Sequence, residues 1–413
     1  MKFARETAIV GIGATEFSKN SGRTPMQLAT ECSLLACQDA GLDPSQINGI
    51  SVFSAEKNTE IEVARNLGIP ELTFFSMIHH GGGAPGGVIQ QAAMAVHSGV
   101  ADYVLVYRAF NERSWHRFGG GVQGRHQSPE AFDVSFSWSS PFGLLTPASW
   151  VAMYARRYMH QYGATSEDFG TIAVTDRKHA ANNPAAFFYQ KPITIEDHQN
   201  SRFIVEPLHL LDCCQESDGG QALIVTTLEK AKDLKQKPAV IAAAAQGVAK
   251  DQHMMKSYYR EDIAGIPEMG VVARQLWEST GLGPQNIQTA VIYDHFTPLA
   301  LPQFEEFGFC ERGEAKDFIK DGNIEIGGGL PINTNGGQLG EAYIHGMNGV
   351  AEAVRQIRGS SVNQVPEVEN VLVTAGTAVP TSGLILTPVS YTHLRAHETR
   401  EDLGCRVVRE KKK

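Results

Sequence analysis

The chain has 413 residues, with 36 Lys and Arg against 45 Asp and Glu for a net charge of −9, and is 42% hydrophobic and 20% charged. That is long enough to bury a large core without disulfides or metals, too acidic for a nucleic-acid binder, and free of the roughly 18-residue apolar run of a membrane span. The six cysteines form no C-x-x-C pair and suit the free thiols of a reduced compartment, and Met1-Lys2-Phe3-Ala4-Arg5-Glu6 lacks a signal-peptide core, so a cytoplasmic location is expected.

In chain order, Ile9-Val10-Gly11-Ile12-Gly13 reads as a strand turning into a loop. Glu16 stands where a third glycine would complete a dinucleotide fingerprint, so no such site is expected. A helical run from Met26 to Ala40 ends at Gly41. The segment Gly41–Phe53 then recurs 240 residues later as Gly281–Tyr293, with Gly, Leu, Pro and Ile in register. Each copy follows a helix, the second from Gly270 to Thr280, and ends in a short apolar strand.

Downstream the copies continue in parallel. The loop His79-His80-Gly81-Gly82-Gly83-Ala84-Pro85-Gly86-Gly87 leads to an Ala-rich helix and the strand Tyr103–Tyr107. In the second copy Asn333-Thr334-Asn335-Gly336-Gly337 leads to a helix near Asn348–Ile357 and the strand Asn370–Thr374. A duplicated α/β unit is predicted, with loops of both halves meeting at one central site. Residues 1–110 with 220–245 form the first half and 246–389 the second. Residues 111–219 form an insertion rich in Trp, Tyr, Arg and His, expected to cover the site as a lid. From about Ser390 the composition shifts; residues 391–413 hold seven Lys or Arg and four Asp or Glu. This stretch reads like translated adapter sequence and is set aside as a non-native tail.

Four segments carry a family resemblance: Ile9–Gly13 with Thr15-Glu16-Phe17; Leu208 through Gly220, ending in Ser217-Asp218-Gly219; Tyr293-Asp294-His295-Phe296; and Asn333 through Gly346. Together they resemble the thiolase superfamily, in its sterol-carrier-protein thiolase and lipid-transfer branch, from residue 1 to about 389. The resemblance implies an α/β thiolase fold with a duplicated five-layered αβαβα core and a loop or insertion domain. Its departures bear on function. The nucleophilic cysteine position falls near Gly82, and no Cys lies between Cys37 and Cys213. Tyr343 replaces the His of Gly-His-Pro, Tyr293 replaces the His or Asn of the third motif, and the last motif reads Ala375-Gly376-Thr377-Ala378. A cysteine acyl-enzyme is therefore not expected.

This pattern resembles the steroid side-chain-cleaving aldolases, the lipid-transfer-protein-2-like members. The resemblance implies retro-aldol cleavage of a 17-hydroxy steroid acyl-CoA to a 17-keto steroid and propionyl-CoA. It also implies a homodimer joined by a DUF35 protein, an OB-fold with a zinc ribbon, in a heterotetramer. CoA is part of the substrate; this chain is expected to bind no cofactor or metal, the zinc belonging to the partner.

Retro-aldol chemistry needs a base for the β-hydroxyl, donors for the enolate oxygen and an acid for the enolate carbon. Tyr293 and Tyr343 are the leading acid–base candidates, and the sequence leaves open which is which. A phenol near pKa 10 needs help as a base, which Asp294, His295 or His345 could give. Strand alternation puts His295 on the face of Tyr293 and Asp294 on the other. His79 and His80 flank the vacant nucleophile loop. Amides near Gly82–Gly83 and Gly376–Thr377 are candidates for an oxyanion hole. Trp115, His116, Trp138 and Trp150 are candidates for a steroid surface, with core packing the ordinary role. The alternatives are a degenerate thiolase that only carries lipid or serves as a scaffold, and an acyltransferase using Cys213 or Cys214.

Overall fold

The structure, a computed structural model, describes residues 3–54, 56–115, 117 and 137–389. Its strands are β1 (Thr7–Ala14), β2 (Gly49–Phe53), β3 (Phe74–Ile78), β4 (Tyr103–Asn111), β5 (Phe203–Val205), β6 (Leu208–His209), β7 (Asp218–Thr227), β8 (Ala239–Gly247), β9 (Thr289–Val291), β10 (Val371–Ala375) and β11 (Thr381–Thr387). Strands β5 and β6 form a hairpin; the others join in the order β3-β2-β4-β7-β1-β8-β11-β10-β9.

That order is a duplication written in hydrogen bonds. In the first half β2 runs parallel to β3 and β4, β4 antiparallel to β7, and β7 antiparallel to β1. In the second, β9 runs parallel to β10, β10 antiparallel to β11, and β11 antiparallel to β8, which groups β8 with the second half although most of it falls within the 220–245 assigned to the first. The halves touch at a seam of two residue pairs, Ala8↔Val240 and Ile9↔Ala239. Gly41 and Gly281 close their helices at φ +76° and +70°, the left-handed region that favours glycine. Short turns at Pro44–Gln46 and Pro284–Asn286 follow, and β2 and β9 begin at Gly49 and Thr289, in the predicted register.

Helices fill the remaining layers. Helices α1 (Pro25–Ala40) and α2 (Glu60–Leu67) cover the outer face of the first half through Leu28, Ala36 and Val63. Helix α3 (Pro85–His97) and the helix Met347–Arg358 lie between the half-sheets, where Val88 and Val350 share one apolar cluster with Val106 and Leu384. The helix Pro267–Thr280 covers the far side through Val272 and Leu276. The result is the expected five-layered αβαβα core. Alternation along β4 shows why: Leu105, Tyr107 and Ala109 face the outer cluster, while Val104, Val106 and Phe110 face the middle one.

One expectation changes here. Gly11 and Gly13 lie inside β1 rather than at a turn, and a Cβ on either would overlap the α1 backbone at Ala36; glycine lets the helix sit down on the strand. The insertion supplies helices Pro147–Tyr162 and Ser166–Asn182, which start at Thr146 and Thr165 with the hydroxyl accepting a first-turn amide. Their apolar sides, through Val151, Tyr158, Phe169 and Ile172, join the second half's core. The described helices of the insertion thus buttress the second half. Trp150 is buried, its indole N–H donating to the Leu144 carbonyl at 2.7 Å, whereas Trp115 and Trp138 are exposed. His116 and the tail 390–413 lie outside the described residues. Among the described residues no helix is long and apolar enough to cross a membrane, and no cluster of three or more His, Cys, Asp or Glu could hold a metal ion.

Candidate active site

Four loops converge where the layers meet: 79–84 before α3, 293–297 after β9, 343–346 before the helix Met347–Arg358, and 375–380 between β10 and β11. The Tyr293 and Tyr343 hydroxyls lie 3.2 Å apart, both nearly buried. A Cβ at Gly82 would overlap the Tyr293 hydroxyl oxygen. The phenol thus occupies the space a side chain at Gly82 would need. One at Gly346 would lie 3.0 Å from the Tyr293 ring, and one at Gly376 2.5 Å from Gly83 Cα, so the loops pack backbone to ring and backbone to backbone.

The backbone of Tyr293 is clamped. Gln303 Nε2 donates to its carbonyl at 2.8 Å, and its amide donates to Thr374 Oγ1 at 2.9 Å. The Tyr343 amide donates to Ser217 Oγ at 3.1 Å. The Ser217-Asp218-Gly219 segment therefore holds the site, with Asp218 accepting from the Arg113 and Ser114 amides at 2.9 and 3.0 Å. Strand β9 ends at Val291, yet the alternation foreseen for residues 293–295 persists. The rings of Tyr293 and His295 lie 4.9 Å apart, and His295 Nδ1 is 3.3 Å from Thr377 Oγ1.

Asp294 turns the other way. Its carboxylate accepts from the Gln338 amide at 2.8 Å and the Leu339 amide at 3.0 Å. Behind it sits buried Asp176, whose carboxyl is pushed well above the usual range by burial and then by Asp294. Asp294 anchors the 337–340 turn that leads to Tyr343, in keeping with the orienting carboxylate its opposite face suggests.

His345 is held by a buried triad absent from the sequence reading. Arg108 Nε donates to His345 Nδ1 at 3.1 Å, and Arg108 pairs with Glu56 at 3.1 Å, both side chains sealed from solvent. Since a guanidinium only donates, Nδ1 is the acceptor and the imidazole carries its proton on Nε2. That nitrogen points toward Gly81, where a Cβ would lie 3.6 Å away. The ring stacks on Phe110 at 5.2 Å. The available signal was an arginine continuing the apolar run Tyr103–Tyr107: a charge on a core strand requires a buried partner.

Burial sets the proton inventory. Both phenols are raised well above 10, Tyr343 further by Tyr293, so both rest as neutral donors. Desolvation holds His345 well below 6.5 and brings His295 down to about 3, so both imidazoles are neutral. His80 is lowered by burial and then by His79; it sits at φ +79°, while His79 is exposed. Of the expected oxyanion donors, the Gly83 amide is already spent on the His80 carbonyl at 2.9 Å. The Gly82, Gly376 and Thr377 amides have no acceptor among the described residues. Gly82 also faces the positive end of α3, which favours developing negative charge. Burial pushes the Cys213 and Cys214 thiols up, the reverse of what an acyl-accepting thiolate needs. An open hollow of about 360 Å³ near Thr24, Lys57 and Trp115 includes none of these residues.

The depressed His295 makes a stability prediction. A buried neutral imidazole disfavours protonation in the folded state, so its contribution is complete above pH 6.5 and is lost as the pH falls toward about 3. Urea midpoints should fall through that window, and less steeply in His295→Gln. An equal acid dependence in both proteins would contradict the assignment.

Residues 247–387 match the family model described as thiolase C-terminal domain-like. Over 379 residues the chain is 67% identical to the steroid side-chain-cleaving aldolase of Thermomonospora curvata, covering 92% of this chain and 97% of that one. Over 381 residues it is 65% identical to the 17-hydroxy-3-oxo-4-pregnene-20-carboxyl-CoA lyase of Mycobacterium tuberculosis, covering 92% and 99%. A solved structure described as the Ltp2-ChsH2(DUF35) aldolase superposes with a TM-score of 0.90 at 65% identity, over 94% of this chain and 98% of that one. With a five-layered duplicated core and these relatives, the chain belongs to the steroid side-chain-cleaving aldolases of the thiolase superfamily.

Proposed function

We propose that this chain cleaves a 17-hydroxy steroid acyl-CoA by a retro-aldol reaction, releasing a 17-keto steroid and propionyl-CoA. The observation that carries this reading is the buried Tyr293–Tyr343 pair filling the space over Gly82, where a thiolase would place its nucleophile. Retro-aldol cleavage needs no covalent intermediate, so the reaction tolerates a glycine there and thiols too buried to ionise.

The residues divide the work as follows. One phenol relays the proton of the 17-hydroxyl as the bond from C17 to the side chain breaks; the other protonates the resulting enolate carbon. Negative charge develops on the thioester oxygen. The Gly82 amide, the α3 N-terminus and the Nε2–H of His345 are the donors available for it. His295, neutral and tied to Thr377, supports the Tyr293 ring.

For assembly, we propose a homodimer that binds a DUF35 protein, as in the heterotetramer expected from the resemblance. Supporting the dimer, β3 is the sheet's edge strand, with Phe75 and Met77 exposed. An unpaired edge carrying apolar side chains invites a second strand. The test is a turnover assay of the chain with its DUF35 partner on a 17-hydroxy steroid acyl-CoA. Mass spectrometry should find the 17-keto steroid and propionyl-CoA in equal amounts. Binding of the intact ester without cleavage would return the chain to the carrier alternative.

A further inference from the structure

The chemistry needs somewhere to keep a proton. Both phenols are neutral at rest and both site histidines are desolvated, so none of these four groups accepts a proton readily. A carboxyl that the sequence analysis did not single out lies beside them. Along β4 the side chains of Arg108 and Phe110 reach the same ring, His345, one by hydrogen bond and one by stacking. Glu112 is next on that face, at the period of two that governs strands. The antiparallel register pairs Asn111 with Asp218. Continued by one pair, it sets Glu112 opposite Ser217, the residue whose hydroxyl accepts the Tyr343 amide at 3.1 Å. Glu112 is 1% exposed, and its Oε2 has no hydrogen-bond partner among the described residues. A buried carboxylate oxygen left unpartnered is costly; next to a reaction that moves protons, that cost has a use.

We propose that Glu112 is the proton store of the tyrosine pair, and this rests on the retro-aldol reading. At rest it is a carboxylate. As the carbon–carbon bond breaks, the 17-hydroxyl proton passes to the phenol pair, which hands one proton on to Glu112. The electron pair of the broken bond becomes the enolate. Glu112 then returns its proton through the phenols to the enolate carbon, leaving propionyl-CoA and a carboxylate as before. No net proton is gained or lost, and no oxidant or reductant is used. In this proposal Glu112 exchanges its proton with the phenols and not with the substrate, and the unpartnered Oε2 is the atom left to make the link.

The surrounding charges suit this. Burial first, and then Glu216, raise the Glu112 carboxyl well above 4.5, so it accepts a proton more readily than an exposed carboxylate. Arg108 and Lys19 oppose that rise. Both have other partners: Arg108 bonds Glu56 and His345, and Lys19 donates to Gln215 Oε1 and the Glu216 carbonyl at 2.9 and 2.6 Å. Cys214 and the two tyrosines are further titratable groups around it, all raised by burial.

The experiment compares wild type, Glu112→Gln and Glu112→Asp, each with the DUF35 partner, in kcat and kcat/KM against pH. Wild-type kcat/KM should rise with pH along a limb lying above the ordinary carboxylate range. Gln should lower kcat by roughly 10²-fold or more, leave KM within about twofold and abolish the limb. Asp, a carboxyl one methylene short, should keep the limb at a reduced rate. Because a raised carboxyl costs stability once ionised, Gln should melt no lower than wild type above that limb. Unchanged kcat and an unchanged limb in Gln would overturn the proposal while leaving retro-aldol cleavage standing, as would loss of the limb in both variants. Absence of cleavage by wild type would remove the reading beneath it. If Gln fails to accumulate as folded protein, the Asp profile decides: a limb indistinguishable from wild type in rate and position overturns the proposal.

Discussion

Tyr343→Phe and Tyr293→Phe should each lower kcat by roughly 10²- to 10⁴-fold, the range of a lost acid–base group, with binding of the acyl-CoA ester nearly unchanged. The substitution removes one oxygen and keeps the ring that packs in the site. Each hydroxyl is the other's partner at 3.2 Å, so either change leaves one buried phenol unpaired. The stability cost should be about 1–3 kcal/mol, too little to unfold the protein. Calorimetric titration of the ester and a melting curve separate the two effects. A Phe variant that turns over at the wild-type rate would exclude that tyrosine from the chemistry. One that neither binds nor folds would show a structural role instead.

Gly82→Ala should abolish turnover although it adds one methyl group. Gly82 does not adopt a left-handed φ, so backbone strain is not the reason. The methyl would occupy the Tyr293 hydroxyl and crowd its ring carbon, forcing the phenol away from Tyr343. Overpacking of this kind costs about 1–3 kcal/mol. Pairing the change with Tyr293→Leu should recover most of the lost stability, since the clash is gone, but none of the activity. Such non-additivity is the signature of two residues sharing one space. Full activity in Gly82→Ala would mean the loop has room that the geometry denies.

The fold was legible because its signals are local and repeated. A glycine cap, a proline turn and a short apolar strand recur at one offset, and each is dictated by backbone conformation. The tyrosine pair was legible through resemblance alone, since an isolated tyrosine has no periodicity to betray its role. What escaped were contacts between residues distant in sequence. Arg108 meets Glu56 and His345 only because strand β4, the loop after β2 and a loop of the opposite half converge. Asp294 was placed correctly on the face opposite Tyr293, yet its partners, the amides of residues 338 and 339, carry no side-chain signature at all. In the insertion, aromatic content left a ligand surface and core packing both open, and Trp150, Tyr154 and Tyr158 are buried and build a core.

The most direct test of enolate chemistry is to run the reaction in heavy water, with the chain and its DUF35 partner, and weigh the propionyl-CoA. Proton return from exchangeable phenols to the enolate carbon should leave a single deuterium on C2, with the 17-keto steroid formed in equal amount. Propionyl-CoA released without deuterium, or a protein carrying a covalent acyl mass before product appears, would contradict cleavage through a protonated enolate at the tyrosine pair.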